Sequence, residues 1–511
     1  MSRVPTVASV LDAALNGAPG RLALVDATHR YTFASLDDAV SRAANALYAL
    51  GVREGDRVAA SLPNHAGIVI AFLAAQRLGA IWVGIAGVLA AAEKRAILED
   101  AGVSVYLASP ALLAEADRAV PPCVREVASF DPRDAQTRFA RLLGEASTHS
   151  RRALIDPHAP SAIAYTSGTT GVPKGAVHSQ HNLMLMGTMA RELALYPNDM
   201  SHGVMLPLTT LNLMVLVPLV TLQLGAPCVV LESAKPLELA RRVNEERIGH
   251  FTAVPTIYYD LLTHPDVDVR ALSSLRAPEI GGANVPPSIR ELVRTRLGID
   301  SCVGYGMTEA PATVTRTRPH AAHTPGCCGH ALPHVCIEIR GEGDALLAAG
   351  EVGEICVAPA SDGPFAHVYT PMLGYWNKPE ATGQVLRDGR YHSGDLGMLD
   401  ASGQLFVLGR KQELIVRGGS KIYPAEVERV LHEDPAVAAA AVVGKPDTRL
   451  GERVVAFIEA KPGARIDLEA LRARCETVLA RYKVPEAWCV VEQMPRNAMG
   501  KIVKRALLED A

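Results

Sequence analysis

Apolar positions along the first hundred residues alternate between two periods. Leu36, Val40, Ala43, Leu47 and Leu50 recur at helical spacing, and Gly51 stands where such a helix should stop. The run Arg57–Leu62 then reads as a short buried strand ended by Pro63, and a second helix is expected from about His65 to Leu78, stopping at Gly79. A third helix ends near Gly102, ahead of the strand-like run Val103–Leu107. Strands and helices in this rhythm predict an open α/β sheet with helices on its faces. Ala162–Thr166 is a further strand that leads into a glycine-rich loop.

Two later stretches change the pattern. Gly203–Leu231 holds no charged residue and is long enough to cross a bilayer, but Pro207, Pro218, Pro227, Thr209, Thr210, Asn212 and Gln223 would leave polar groups unsatisfied in lipid. It is read as a buried helix and strand of a large core, with no transmembrane segment; contact with a membrane surface is left open. From Gly326 to Leu408, short β-rich runs such as Val335–Ile339 and Glu354–Val357 alternate with Gly, Asp and Pro turns, which predicts a small barrel or sandwich. Beyond Leu408 a fresh unit begins, with helices over Ala425–His432 and Leu468–Ala480 and strands over Ala438–Val443 and Arg453–Ala460. Its hundred or so residues suit a separate small domain.

At 511 residues the chain is too long for one ordinary core. Its net charge of -3 offers no general attraction to nucleic acid, so any polyanion site must be built locally. Nine scattered cysteines without a C-x-x-C pairing suggest neither a disulfide framework nor a zinc site, and fit a reducing cytoplasm.

The sharpest chemical signal is Tyr165-Thr-Ser-Gly-Thr-Thr-Gly-Val-Pro-Lys-Gly175. Its glycines let backbone N–H groups turn toward one point, and Thr166, Ser167, Thr169 and Thr170 add hydroxyl donors beside Gly168 and Gly171. Lys174 supplies a compact positive charge. This is polyphosphate chemistry, but Pro173 stands where a Walker loop needs glycine.

That loop resembles the signature of the adenylate-forming superfamily, which includes acyl- and aryl-CoA synthetases, peptide-synthetase adenylation domains and luciferases. The other blocks of the family follow in order: Gly281-Gly282-Ala283, Tyr305-Gly306-Met-Thr308-Glu309, Tyr391–Leu396, Gly409-Arg410, Arg417–Val427 and Pro495–Lys501. The resemblance implies an α/β fold: a large N-terminal domain, residues 1–410, of two α/β sheet subdomains plus a small β-barrel, then a mobile α+β C-terminal domain, residues 411–511. It implies an ATP-dependent acid–thiol ligase. By the same resemblance Tyr305 stacks on adenine, Thr308 meets the α-phosphate, Glu309 and Thr170 hold Mg2+, Asp395 takes the ribose hydroxyls, and Arg410 contacts ribose and phosphate. Gly282 and Ala283 border the nucleotide, and Lys501 spans the acid's carboxylate and the α-phosphate as the catalytic lysine.

A carboxylate attacking ATP brings two anions together, so cations must neutralise both and hold them in line. A thiol then displaces AMP from the acyl-adenylate. The family separates these half-reactions by rotating the small domain, and the hinge position falls on Gln412, where relatives usually carry Asp or Lys. After rotation Gly418 and Gly419 would leave room for the pantetheine arm of coenzyme A, although an ordinary turn explains two glycines equally well.

Many relatives read Pro-Leu-Phe/Tyr-His where this chain has Pro207-Leu208-Thr209-Thr210. Small residues there, with Leu211, Gly281 and Gly282, predict a roomy acyl pocket for a bulky or extended apolar acid: a medium- or long-chain fatty, alicyclic or aryl acid. Free CoA is the expected acceptor, because no carrier domain follows Lys501; loading of a carrier protein's phosphopantetheine is the alternative.

Overall fold

The structure is a computed structural model that describes residues 6–116, 120–166, 173–197, 199–281, 285, 287–317, 324, 326–496 and 501–509. The first expected helix spans Phe33–Ala49: Thr32 accepts the Ser35 N–H at its start, and Leu36, Val40, Ala43 and Leu47 are fully buried along one stripe. Burying such side chains stabilises the fold by about 1.5–3 kcal/mol for each large one. The strand Arg57–Ser61, the helix Ala66–Arg77 and the helix Ala91–Ala101 with its left-handed cap at Gly102 follow as the periodicity predicts.

Arg57–Ser61 lies in a seven-stranded sheet, ordered Gly374–Tyr375, Lys174–Ser179, Pro160–Thr166, Ile81–Gly84, Arg57–Ser61, Val105–Ala108 and Glu126–Ser129. Among the described residues the second sheet holds fourteen strands. Its parallel part runs through Leu22–Val25, Cys228–Val230, Ser201–Val204, Ile248–Ala253, Ala277–Ile280 and Cys302–Gly306. Antiparallel pairing of Tyr305 with Thr315 then carries the ladder into the β-rich region, so the barrel-like unit shares one hydrogen-bonded path with the α/β body.

The uncharged stretch is a buried helix and strand. Helical segments Leu211–Met214, Val215–Leu219 and Val220–Leu224 succeed one another, and the middle one widens to a π-turn around Pro218, whose missing N–H would interrupt a regular α-ladder. Gly225 closes the helix at φ 67°, and Cys228–Val230 enters the sheet. Among the described residues no helix is long and apolar enough to cross a membrane.

After Arg410 the chain builds a third, five-stranded sheet from Ile415–Arg417, Ser420–Ile422, Val437–Asp447, Gly451–Ala460 and Ala487–Val491. Helices Pro424–Leu431 and Leu468–Val478 cover it with an apolar core of their own, including Val427, Val430, Leu431 and Leu471. The architecture is a large N-terminal α/β assembly followed by a smaller C-terminal one.

Candidate active site

Ligands of open α/β sheets bind beyond the carboxyl ends of parallel strands. Here those ends converge from both large sheets. Pro160–Thr166 runs toward the glycine-rich loop, Ala277–Ile280 toward Gly281, and Cys302–Gly306 toward Thr308 and Glu309. The end of Ile81–Gly84 meets the Pro207–Thr210 block so closely that a β-carbon on Gly84 would stand 2.0 Å from the Thr209 carbonyl oxygen. Only glycine fits that approach.

Asp395 and Arg410 face each other across the antiparallel strands Arg390–Leu399 and Gln404–Arg410. Arg410 Nε donates to Asp395 Oδ1 at 2.8 Å, and the Tyr305 hydroxyl donates to Oδ2 at 2.5 Å. The Asp395 N–H donates to Ser393 Oγ, which itself donates to the Ile355 carbonyl. Burial pushes the Asp395 carboxyl above the usual carboxylate range, while Arg410, the Tyr305 hydroxyl and Lys501 pull against it. Each oxygen keeps a lone pair free, so this carboxylate can accept two further hydroxyl donors.

Glu309 receives the Tyr375 hydroxyl at 2.8 Å, and Lys174 Nζ lies 5.4 Å from the centre of the Tyr375 ring. A second tie comes from beneath. His178 Nε2 lies 2.8 Å from the Thr308 carbonyl, which only accepts, so Nε2 carries the proton, and Nδ1 accepts from Asn182 at 3.3 Å. Burial pushes this imidazole down to about 4, so it is neutral at physiological pH.

Lys501 enters from the C-terminal unit. The residue is exposed, yet its ammonium is partly stripped of water, which lowers its pKa; Arg410 adds to the shift, and Asp395 and Glu309 oppose it. One cation thus feels both carboxylates of the large assembly. Three residues on, Lys504 Nζ is 2.8 Å from Glu413, next to Gln412, and 2.8 Å from Glu428.

Among the described residues no group of three or more His, Cys, Asp or Glu could hold a metal. Mg2+ nevertheless fits, because it is usually bound through one or two carboxylates plus substrate phosphates and waters, and Glu309 is such a carboxylate.

Thr166 pairs with Lys174 at the base of a hairpin whose tip, Ser167 to Gly171, lies outside the described residues, as do Gly282 and Ala283. Thr210 caps the helix that Leu211 begins, with its N–H on the Pro207 carbonyl at 3.0 Å, and Gly281 hydrogen-bonds to the Ala253 carbonyl. Gln412 is exposed in the single turn Lys411–Glu413, and Lys411 Nζ lies 3.3 Å from Glu354. Gly418 and Gly419 form the two-residue loop between Ile415–Arg417 and Ser420–Ile422, with φ 55° and 83°. Positive φ at both positions accounts for the glycines as a hairpin turn.

His178, Asn182 and Tyr375 escaped the sequence reading. None belongs to a spacing pattern, and each acquires its partner only through the tertiary fold.

Residues 11–376 match the family described as AMP-binding enzyme, and residues 426–501 match the AMP-binding enzyme C-terminal domain. The chain belongs to the AMP-binding enzyme family. It is 35% identical to a feruloyl-CoA synthase from Amycolatopsis over 93% of this chain and 92% of that protein. A long-chain-fatty-acid–CoA ligase from Bacillus subtilis is 32% identical, over 99% and 94%. The solved structure of ATP-bound MatB from Rhodopseudomonas palustris superposes with a TM-score of 0.89 at 28% identity, covering 98% of each chain. Within its family the chain is an AMP-forming acid–CoA ligase.

Proposed function

We propose that this enzyme activates a bulky or extended, largely apolar carboxylic acid in two half-reactions divided between its two domains, residues 1–410 and 411–511. The acid's carboxylate oxygen attacks the α-phosphorus of ATP, the bond to the β-phosphate bridge breaks, and pyrophosphate leaves. The thiol of coenzyme A then attacks the acyl carbonyl, loses its proton and expels AMP.

In the first step Asp395 accepts the ribose hydroxyls while Arg410 holds the carboxylate in place. Tyr305 flanks the adenine, Thr308 reaches the α-phosphate, and Lys174 takes the charge of the outer phosphates. Glu309, with Thr170, would hold Mg2+, whose chemistry there is to neutralise the phosphates. Lys501 screens the two anions as they meet. The observation that carries this reading is the convergence of Lys501 on Asp395 and Glu309 from a unit with its own sheet and core.

The second step needs Lys501 replaced by the thiol. A rotation about Gln412 supplies this, and contacts across the junction include surface ones that it would exchange: Lys411 with Glu354, and Lys461 Nζ 5.4 Å from the Tyr259 ring. Such polar contacts are weak enough to exchange. The hairpin at Gly418 and Gly419 would then border the pantetheine arm. Thr210, Leu211, Gly281 and Gly282 border the acyl group, and the small side chains of Thr209 and Thr210 leave it width.

The test is formation of acyl-CoA, AMP and pyrophosphate from ATP, Mg2+ and CoA across aryl, alicyclic and straight-chain acids. Turnover of acetate alone would refute the roomy pocket. Adenylate that free CoA cannot discharge would assign the acceptor to a carrier protein.

A further inference from the structure

Below Gly281 the same face of the sheet carries a buried polar cluster. His202 and His250 lie in register on neighbouring strands with ring centres 4.7 Å apart, and the Tyr196 ring stands 4.6 Å from His202 and 4.8 Å from His250. Behind them Arg316 pairs with Glu279 at 3.3 Å, and the Arg316 guanidinium lies 4.9 Å from the Tyr196 ring centre. His202 is 0% exposed and Arg316 8%. Charges buried this deeply are costly even when paired.

The two imidazoles differ in one respect. His250 Nδ1 donates to the Ala277 carbonyl at 2.6 Å, and its Nε2 lies 3.4 Å from Thr252 Oγ1. Neither ring nitrogen of His202 has a hydrogen-bond partner among the described residues. Burial, with His250 and Arg316 adding to it, keeps His202 neutral, so it presents one donor and one acceptor with nothing to meet either. A buried polar group in that condition is unfavourable unless something pairs with it.

The cluster lies on the strand face that leads up to Gly281, where the acyl group is proposed to lie. Thr252 Cγ2 lies 4.0 Å from where a β-carbon on Gly281 would stand, and His250 follows two residues earlier on the same face. Gly281 to the level of Ala277, which pairs with His250, is roughly 13 Å of strand at about 3.3 Å per residue. A medium-length chain or a fused-ring body spans such a distance.

We propose that the acid carries a distal, uncharged hydrogen-bonding group, a hydroxyl or a carbonyl, that passes Gly281 and Thr252 and pairs with His202. Tyr196 and His250 hold the imidazole from its sides. A second carboxylate is disfavoured, because Glu279 already engages Arg316 and a neutral His202 offers it no charge. The proposal rests on the acyl groove lying at Gly281, and it adds a polar tip to the largely apolar acid inferred above.

The test compares kcat/KM for unsubstituted straight-chain acids, hexanoate to hexadecanoate, with the ω-hydroxy acid of each length. The best ω-hydroxy acid should exceed its unsubstituted partner by about tenfold, the scale of one hydrogen bond. In His202→Phe that ratio should fall to one or below. Because the ratio is taken within each protein, a general loss of activity cancels; His202→Asn provides a second variant if the first does not fold. A ratio at or below one at every length in the unaltered enzyme, or a ratio that His202→Phe and His202→Asn leave unchanged, overturns the inference while the ligase reading stands. No pyrophosphate release with any acid of either series overturns the ligase reading, and the inference falls with it.

Discussion

The two sides of the candidate active site are built on opposite plans. Asp395 and Arg410 sit on adjoining strands of one sheet, where the backbone ladder sets them opposite each other; Tyr305 reaches Asp395 from another strand of that sheet, and Asp395 is only 7% exposed. Lys501 is exposed, belongs to a unit with its own sheet, and reaches those carboxylates through space. Under the proposed mechanism, a group that recognises nucleotide in both half-reactions is suited to the ladder, and a cation needed in only one is suited to a unit with its own core.

Lys501→Ala should break the asymmetry most sharply. Adenylation should fall about a hundredfold or more, the cost of a lost transition-state electrostatic contact, whereas thioester formation from supplied acyl-adenylate stays near normal. Pyrophosphate and thioester assays run separately check this, and equal loss in both would dissolve the division of labour. Asp395→Asn should instead impair both steps, with kcat/KM for ATP lower by about ten- to a hundredfold, the scale of a hydrogen bond to a charged group; ATP saturation curves measure it.

The remaining expectations are smaller. Because the working form of Lys501 is protonated and its pKa lies below the ordinary 10.5, adenylation should decline as pH rises through that lowered value, at lower pH than an ordinary lysine would give. Lys501→Arg should move that alkaline limb upward, since guanidinium stays charged. Lys504→Met should lower the melting temperature of the C-terminal unit by several degrees, because Glu413 and Glu428 lose a charged partner, a cost of about 2 kcal/mol, the scale of a hydrogen bond to a charged group. His178→Gln should slow adenylation about fivefold by loosening the Thr308 backbone, the scale of one neutral hydrogen bond.

Local patterns made much of this molecule legible. The stripe from Leu36 to Leu47, the caps at Gly51 and Gly102 and the proline-interrupted stretch around Pro218 announce themselves because each depends on residues close in sequence. The signature blocks likewise name Asp395, Arg410 and Lys501. What could not be read is how distant residues meet. His178 reaches Thr308 across 130 positions, and His202, His250, Glu279 and Arg316 come from four strands, each lone in its own segment. Small residues at Pro207–Thr210 and Gly281 predict a roomy pocket for an apolar acid, whereas the tertiary fold gathers a buried polar cluster on the strands below Gly281. The paired glycines at 418 and 419 read equally as a ligand channel or a turn until their positive φ values show the hairpin.

The central claim is tested most directly by rapid-quench assay of a single mixing experiment with ATP, Mg2+ and a competent acid. Without CoA, the account predicts a burst of pyrophosphate equal to the enzyme concentration and an acyl-adenylate held in the cleft; adding CoA should discharge it to acyl-CoA and AMP and restore turnover. Acyl-CoA formed with ADP and phosphate, or formed without any adenylate, would contradict it.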